Sequence, residues 1–164
     1  MSTPERPVPS YREVPATDPA AQILLEEYFA MREFGFPAEQ GAYAVHMPAP
    51  DAFRQPDGVL LIAALDGADI GLGGIRRLPP SDDGRSRWEV KHLFLRETVR
   101  GIGLGRGFLA ELERRARAAG ADDLVLDTNS SLTAAGGLYA RAGFERIDPY
   151  NDNPNADRWY GKRL

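Results

Sequence analysis

The sequence predicts an α/β (α+β) fold, with one mixed sheet and helices on its faces. Three observations carry this. Apolar runs of strand length recur at 58–65, 88–95 and 122–128. Two longer segments, 20–36 and 104–119, space their apolar residues as helices do. Strand-like and helix-like segments interleave along the chain, which is the pattern of a layered sheet-and-helix domain. The 164 residues suit one domain, and 43% hydrophobic content is enough for a core.

Each element has its local reason. Residues 1–9 read as a flexible N-terminal arm, and 10–164 as the single domain. "SYREV" is a short first strand. Asp18-Pro19 is an N-cap followed by proline at the first helical position. "AAQILLEEYFAMREFGF" continues as a helix with Ile23, Leu24, Tyr28 and Met31 at helical spacing, and Gly35 and Pro37 end it. Residues 37–57 hold four prolines and read as a long loop or a short helix with loops. "GVLLIAAL" and "ADIGLGGIRRL" form a hairpin across the Asp66-Gly67 turn. "PPSDDGRSR" is a polar loop, and "WEVKHLFL" is the next strand.

A helix then carries Leu104, Phe108, Leu109, Leu112, Ala116 and Ala119 on one stripe, with Glu111–Arg115 and Glu113–Arg117 pairs outside and Gly120 as its stop. "DDLVLDT" is a strand, "SLTAAGGLYARAG" a short helix, "FERIDPY" a strand, "NDNPNAD" a turn and "RWYGKRL" a final strand. Strict alternation along "WEVKHLFL" puts Glu89, Lys91, Leu93 and Leu95 on one face and His92 on the other.

The composition excludes several functions. There are no cysteines, so disulfides, thiolate nucleophiles and Cys-based zinc sites are all absent. No His/Asp/Glu cluster has metal-ligand spacing, and no metal is expected. The net charge of −4 argues against nucleic-acid binding. No apolar run approaches the roughly 18 residues of a membrane span, and the polar, Pro-rich start lacks a signal-peptide core. A cytoplasmic setting and no membrane partner are expected.

The chemistry concentrates at Arg100-Gly101-Ile102-Gly103-Leu104-Gly105, which leads from a strand into a helix. The first N–H groups of a helix lack internal partners, and the helix dipole is positive there. Glycines let a phosphate approach that backbone, and Arg100 adds a full charge. Spacing removes two familiar alternatives. A G-x-G-x-x-G turn needs glycine where Arg106 or Phe108 stands, and no G-K-[ST] of a P-loop occurs.

With these residues, the chain resembles the GNAT superfamily of N-acetyltransferases. "RGIGLG" matches its R/Q-x-x-G-x-G/A signature. "WEVKHLFL" before it, "LVLDT" after it and "AAGGLYARAGFERI" further on are similar to the family's other segments, in the same order. The resemblance covers roughly residues 10–164 and is strongest at 88–147. It implies a mostly antiparallel mixed sheet whose two parallel strands splay apart around the thioester of acetyl-CoA.

It further implies that the main chain of Leu93, Phe94 and Leu95 pairs with the pantetheine arm, and that Arg100, Gly101, Ile102, Gly103, Leu104 and Gly105 hold the pyrophosphate. Tyr139 falls on the proposed acid for the leaving thiolate, and Glu89 on the general base of some members. Many members carry Asn seven residues before that tyrosine. Here the position is Leu132, so Asn129 or Ser131 takes over that contact, with Ala135 on the same cofactor-facing segment. Gly136-Gly137 in mid-helix would be explained by close approach of the cofactor.

The implied reaction is direct acetyl transfer to a primary amine in a ternary complex, since no cysteine is available for an acyl intermediate. The acceptor is a small amine, an amino acid or a peptide, and a homodimer is left open. Asp51, Asp82 and Asp83 lie in loops near the expected acceptor end and favour a cationic substrate. His46 lies in a loop there too. Asp127 orients substrate or caps the following helix. Two alternatives stay open: a non-catalytic acyl-CoA-binding regulatory module, and a protein N-terminal acetyltransferase. Glu89 and a water path both remain open as the base.

Overall fold

Helix α1 (Pro19–Gly35) starts where the Asp18 carboxylate accepts from the N–H groups of Ala20 and Ala21 at 2.9 and 3.1 Å, with Pro19 at the first position. The structure is a computed structural model that describes residues 1 and 3–164. The α1 stripe that packs on the sheet is Ala21, Leu24, Leu25, Tyr28, Phe29 and Arg32. Ile23, expected on that stripe, is instead 53% exposed, because the buried face is rotated by one residue toward Phe29.

The strands are β1 (Ser10–Glu13), β2 (Gly58–Leu65), β3 (Ala68–Arg77), β4 (Arg87–Leu95), β5 (Asp123–Thr128), β6 (Glu145–Arg146) and β7 (Arg158–Arg163). They form one sheet in the order β1-β2-β3-β4-β5-β7-β6. Every neighbouring pair is antiparallel except β4 with β5. Helix α2 (Leu104–Ala118) crosses between those two parallel strands, and α3 (Thr133–Arg141) follows β5. The strand expected over 144–150 shrinks to Glu145–Arg146. Ile147 still donates its N–H to Trp159 at 3.0 Å, but Pro149 has no N–H with which to continue the ladder. Residues 37–57 hold one short 3₁₀ turn, Ala38–Gln40, and are otherwise irregular.

The sheet separates two cores. On one face Trp88, Phe108, Leu109, Leu112, Leu124 and Tyr139 pack with α2 and α3. On the other, Leu24, Leu25, Phe29, Leu60, Ile62 and Leu72 pack with α1. Glu111–Arg115 and Glu113–Arg117 form on the outside of α2 as ion pairs at 2.9 and 3.0 Å. Its end is closed by Gly120, whose φ is 88°, and by Ala121 N–H on the Ala116 carbonyl at 3.0 Å.

Two irregularities shape the site. The first is a bulge in β4. Gly74 pairs with Lys91 and Leu72 with Phe94, so His92 and Leu93 together oppose Gly73. His92 takes a φ of 57° to allow this. The extra residue reverses the alternation expected from the sequence. Leu93 and Leu95 join Trp88 and Val90 on the α2 face, while His92 and Phe94 face α1 with Glu89 and Lys91. The second is the parting of the parallel strands. β4 and β5 pair only through Arg87–Asp123, Trp88–Leu124 and Glu89–Val125. Beyond that point each strand pairs only on its other side, β4 with β3 and β5 with β7.

Candidate active site

The parted strands open a cleft of about 1180 Å³ that passes from the α2–α3 face to the α1 face. At the α2 end, Gly101 and Gly103 adopt φ of 82° and 83°, left-handed values that a side chain would strain. Gly103 is the N-cap of α2, with no side chain capping the helix. Among the described residues, the N–H groups of 101–106 have no main-chain acceptor. They form an open donor cluster at a positive helix end. Arg100 donates from Nε to the Leu95 carbonyl at 2.9 Å and lies 5.8 Å from the Phe94 ring centre. It ties the turn to the end of β4. Arg106 and Arg141 also line this end.

At the α1 end the wall is made of side chains from distant parts of the chain. Arg96 grips Glu27 with two hydrogen bonds of 2.9 Å and so holds α1 over the end of β4. Asp127, near the end of β5, accepts from Lys91 Nζ at 3.3 Å, Asn151 Nδ2 at 2.7 Å and Asn153 Nδ2 at 3.1 Å. Burial raises its carboxyl, but Lys91 and the two amides outweigh this, and the net direction is down. His92 sits among the rings of Tyr28, Phe29 and Phe53. Burial first, then the charges of Lys91 and Arg76, push its imidazole down to about 3, so it is neutral near pH 7.

Arg32 projects from α1 into the same wall. It is 9% exposed, donates to the Tyr28 hydroxyl at 3.1 Å and to the Asn155 carbonyl at 3.4 Å, and lies 5.4 Å from the Tyr43 ring centre.

The residues expected from the sequence separate into groups. Leu93, Phe94, Leu95, Arg100, Gly101, Gly103, Gly105, Ala135 and Tyr139 line the cleft. Ile102 is 50% exposed and Leu104 is buried under the turn, so neither side chain lines the cleft, and only their main chains belong to the donor cluster. Tyr139 is almost fully buried against Phe144 and Tyr160, with its hydroxyl unpartnered among the described residues. Burial, then neighbouring groups led by Tyr28, raises its hydroxyl well above the ordinary phenol range.

Other expectations need correcting. Asn129 does not line the cleft: its side chain donates to Gln40 at 2.9 Å and to the Asn155 carbonyl at 3.3 Å, and accepts from Ser131 N–H at 3.0 Å. Ser131 and Leu132 line the cleft where it does not. Glu89 is fully buried behind the wall, accepting from Arg76 Nε at 2.8 Å and from the Tyr150 hydroxyl at 2.6 Å. It joins β3, β4 and the loop after β6.

Asp51, Asp82 and Asp83 do not line the cleft, and the loop of Asp82 and Asp83 joins β4 at Arg87, the end far from the gap. At the α1 end the lining holds Arg32, Arg76 and Lys91 against the single carboxylate of Asp127, so a cationic substrate is not what it favours. Gly136 and Gly137 are not on the cleft wall, and their added Cβ atoms would face Tyr160 and Arg141.

The sequence reading overlooked Arg32, Tyr150, Asn151, Asn153 and Asn155. A signal existed for some of them. Arg32 stands four residues after Tyr28 on an apolar stripe, where a solvated arginine does not belong. The alternating asparagines of "NDNPNAD" form Asx turns, Asn153 N–H to Asn151 and Asn155 N–H to Asn153, and so define the loop that walls the cleft.

The family model of the acetyltransferase (GNAT) family matches residues 20–144. The chain belongs to the GNAT acetyltransferase family. Among curated relatives, it is 32% identical to an "IAA acetyltransferase" from Azospirillum brasilense over 85% of each chain. It is 30% identical to an uncharacterized N-acetyltransferase of Schizosaccharomyces pombe over 81% of this chain and 79% of that one. A GNAT-family acetyltransferase from Staphylococcus aureus shares the fold at a TM-score of 0.74 and 17% identity, covering 96% of this chain and 99% of the other. An acetyltransferase of Salmonella typhimurium, solved with its cofactor acetyl-CoA, superposes at 0.68 with 18% identity over 95% and 94% of the two chains. The GNAT membership makes this chain an acyltransferase. Among the described residues no helix is long and apolar enough to cross a membrane.

Proposed function

We propose that this GNAT enzyme transfers the acetyl group of acetyl-CoA directly to the nitrogen of a primary amine, in a ternary complex. The observation that carries this reading is the juxtaposition of the gap between β4 and β5 with the open N–H cluster at 101–106. A pyrophosphate suits that cluster, with Arg100 and Arg106 beside it. The edge of β4 beyond Glu89 is unpaired toward β5, so its main chain is available to an extended arm. Acetyl-CoA supplies an acyl carbon already activated as a thioester.

The chain's own groups then divide the work. Tyr139 stays protonated at working pH because burial raises its pKa. Its hydroxyl donates a hydrogen bond where sulfur charge develops, as the C–N bond forms and the C–S bond breaks. Two half-buried groups on the wall that could accept the amine's proton, Asp127 and His92, are both shifted toward low proton affinity. Neither is tuned as a base near pH 7. With Glu89 buried behind the wall, the ammonium proton leaves on the open side of the cleft, to water or to the exposed His46 on its lining, rather than to Glu89.

Two measurements test this. With acetyl-CoA and a panel of amines, amino acids and short peptides, free thiol appears only when an acceptor is present. Acetyl-CoA binding with no thiol release on any of them would refute acetyl transfer. For an accepted amine, kcat/KM rises with pH up to that amine's own pKa, because only the neutral amine attacks. A plateau set near pH 7 and shared by amines of different pKa would instead reveal a dedicated base.

A further inference from the structure

Resting on that reading, we infer that the acceptor amine also carries a carboxylate, which docks on Arg32. The cations at the α1 end of the cleft are not alike. Arg76 is paired with Glu89 at 2.8 Å, and Lys91 with Asp127 at 3.3 Å. Arg32, only 9% exposed, has no carboxylate within 4.0 Å among the described residues. Its protein partners are a phenol at 3.1 Å and one carbonyl at 3.4 Å, and neither carries charge. A guanidinium has five N–H donors, so most of its fork is unused.

A buried cation without a counter-charge is costly to a fold, and such a group persists where a ligand supplies the missing anion. The surroundings specify the anion's shape. The Tyr28 and Tyr43 rings lie 5.9 and 5.4 Å from the guanidinium carbon, and Asn155 fixes one edge. Tyr28 and Tyr43 also line the cleft. A rigid planar fork held between rings matches a planar carboxylate through two parallel hydrogen bonds. The protein as a whole carries −4, so the uncompensated cation is a property of this wall rather than of the chain. Arg32 donates to Tyr28, whose ring centre lies 5.4 Å from that of His92, and Arg32 lines the same cleft as Tyr139, so the carboxylate seat opens on the space where the reaction is proposed. Amino acids, with amine and carboxylate close together, have this form.

The experiment compares α-amino acids with their decarboxylated amines, for example methionine with 3-(methylthio)propylamine and phenylalanine with phenethylamine. The wild-type protein favours the carboxylated member of a pair by about 30-fold or more in kcat/KM, the scale of a desolvated charge pair. Arg32→Gln collapses that ratio toward one. Arg32→Lys, which keeps the charge and protects against simple misfolding, retains an intermediate ratio.

A wild-type enzyme indifferent to the carboxylate, or a preference that survives Arg32→Gln, overturns the inference. So does a loss of acetyl-CoA affinity in Arg32→Gln as large as the loss of the ratio, since Arg32 would then serve the cofactor. If no amine turns over, acetyl transfer fails as the activity, and calorimetry of N-acetylmethionine on the CoA-saturated protein still decides. Binding that weakens about tenfold or more in Arg32→Gln supports the carboxylate seat, and equal binding refutes it.

Discussion

The two ends of the cleft are built by different means. The α2 end is made of main chain: glycines with φ of 82° and 83° turn successive N–H groups outward at a helix start. The α1 end is made of side chains that meet only after folding, such as Arg32 with Asn155 and Asp127 with Asn151. A main-chain seat tolerates many sequences as long as its turn survives. A side-chain seat depends on each member, and on the buried ties that hold its elements in register. In the proposed reaction the common cofactor takes the main-chain end and the specific acceptor the side-chain end.

The largest effect is expected at the tie behind the acceptor wall. Glu89→Ala removes a fully buried carboxylate from Arg76 and Tyr150, and denaturant unfolding loses about 3 kcal/mol. Glu89→Gln sharpens the comparison. If Glu89 holds the wall, the amide variant unfolds earlier, and its pH–rate profile keeps the wild-type shape. A profile that changes shape at unchanged stability would restore Glu89 as the base. Next in size is Tyr139→Phe, which removes a hydroxyl of a buried side chain that lines the cleft. We expect kcat to fall by about 100-fold, with acetyl-CoA affinity nearly unchanged. An unchanged kcat, with chemistry limiting the rate, removes Tyr139 from the reaction.

Legibility in the sequence followed the same division. The turn at 100–105 could be read as an open set of N–H donors because that geometry lies in glycine spacing and helix position, which are local. So could the Asp18 cap, the Asp66-Gly67 hairpin and the outer pairs of α2. The face of Leu93 and Leu95 could not, because one added residue at His92 reverses the alternation, and nothing in "WEVKHLFL" marks a bulge. Glu89 was misplaced for a related reason. Alternation assigns a face but not the partners waiting on it, and Arg76 and Tyr150 arrive from 13 and 61 residues away. The acceptor wall suffered most. Its charge balance depends on which acids reach the cleft, and Asp82 and Asp83 lie at the wrong end of β4.

A smaller effect probes the main-chain end alone. Arg100→Ala with Gly103→Ala adds strain of about 1 kcal/mol at a left-handed position and removes a guanidinium. We expect the Kd for acetyl-CoA to rise about 30-fold, with the ranking of acceptor amines preserved. An altered ranking would mean that the two ends are not separable. Unchanged affinity would remove the turn as the pyrophosphate seat.

The smallest effect asks which end the middle of α3 serves. A glycine there costs the helix about 1 kcal/mol relative to alanine, and close approach of the cofactor would justify keeping one. The structure points elsewhere. Gly136 is not on the cleft wall, and an added Cβ would lie 3.8 Å from the Tyr160 hydroxyl, an ordinary contact. Gly136→Ala should therefore stabilise the protein by up to about 1 kcal/mol in denaturant unfolding and leave acetyl-CoA affinity as it was. A weaker Kd in that variant would bring the Gly136 backbone itself against the cofactor, and the main-chain end would then extend from the α2 turn onto the backbone of α3.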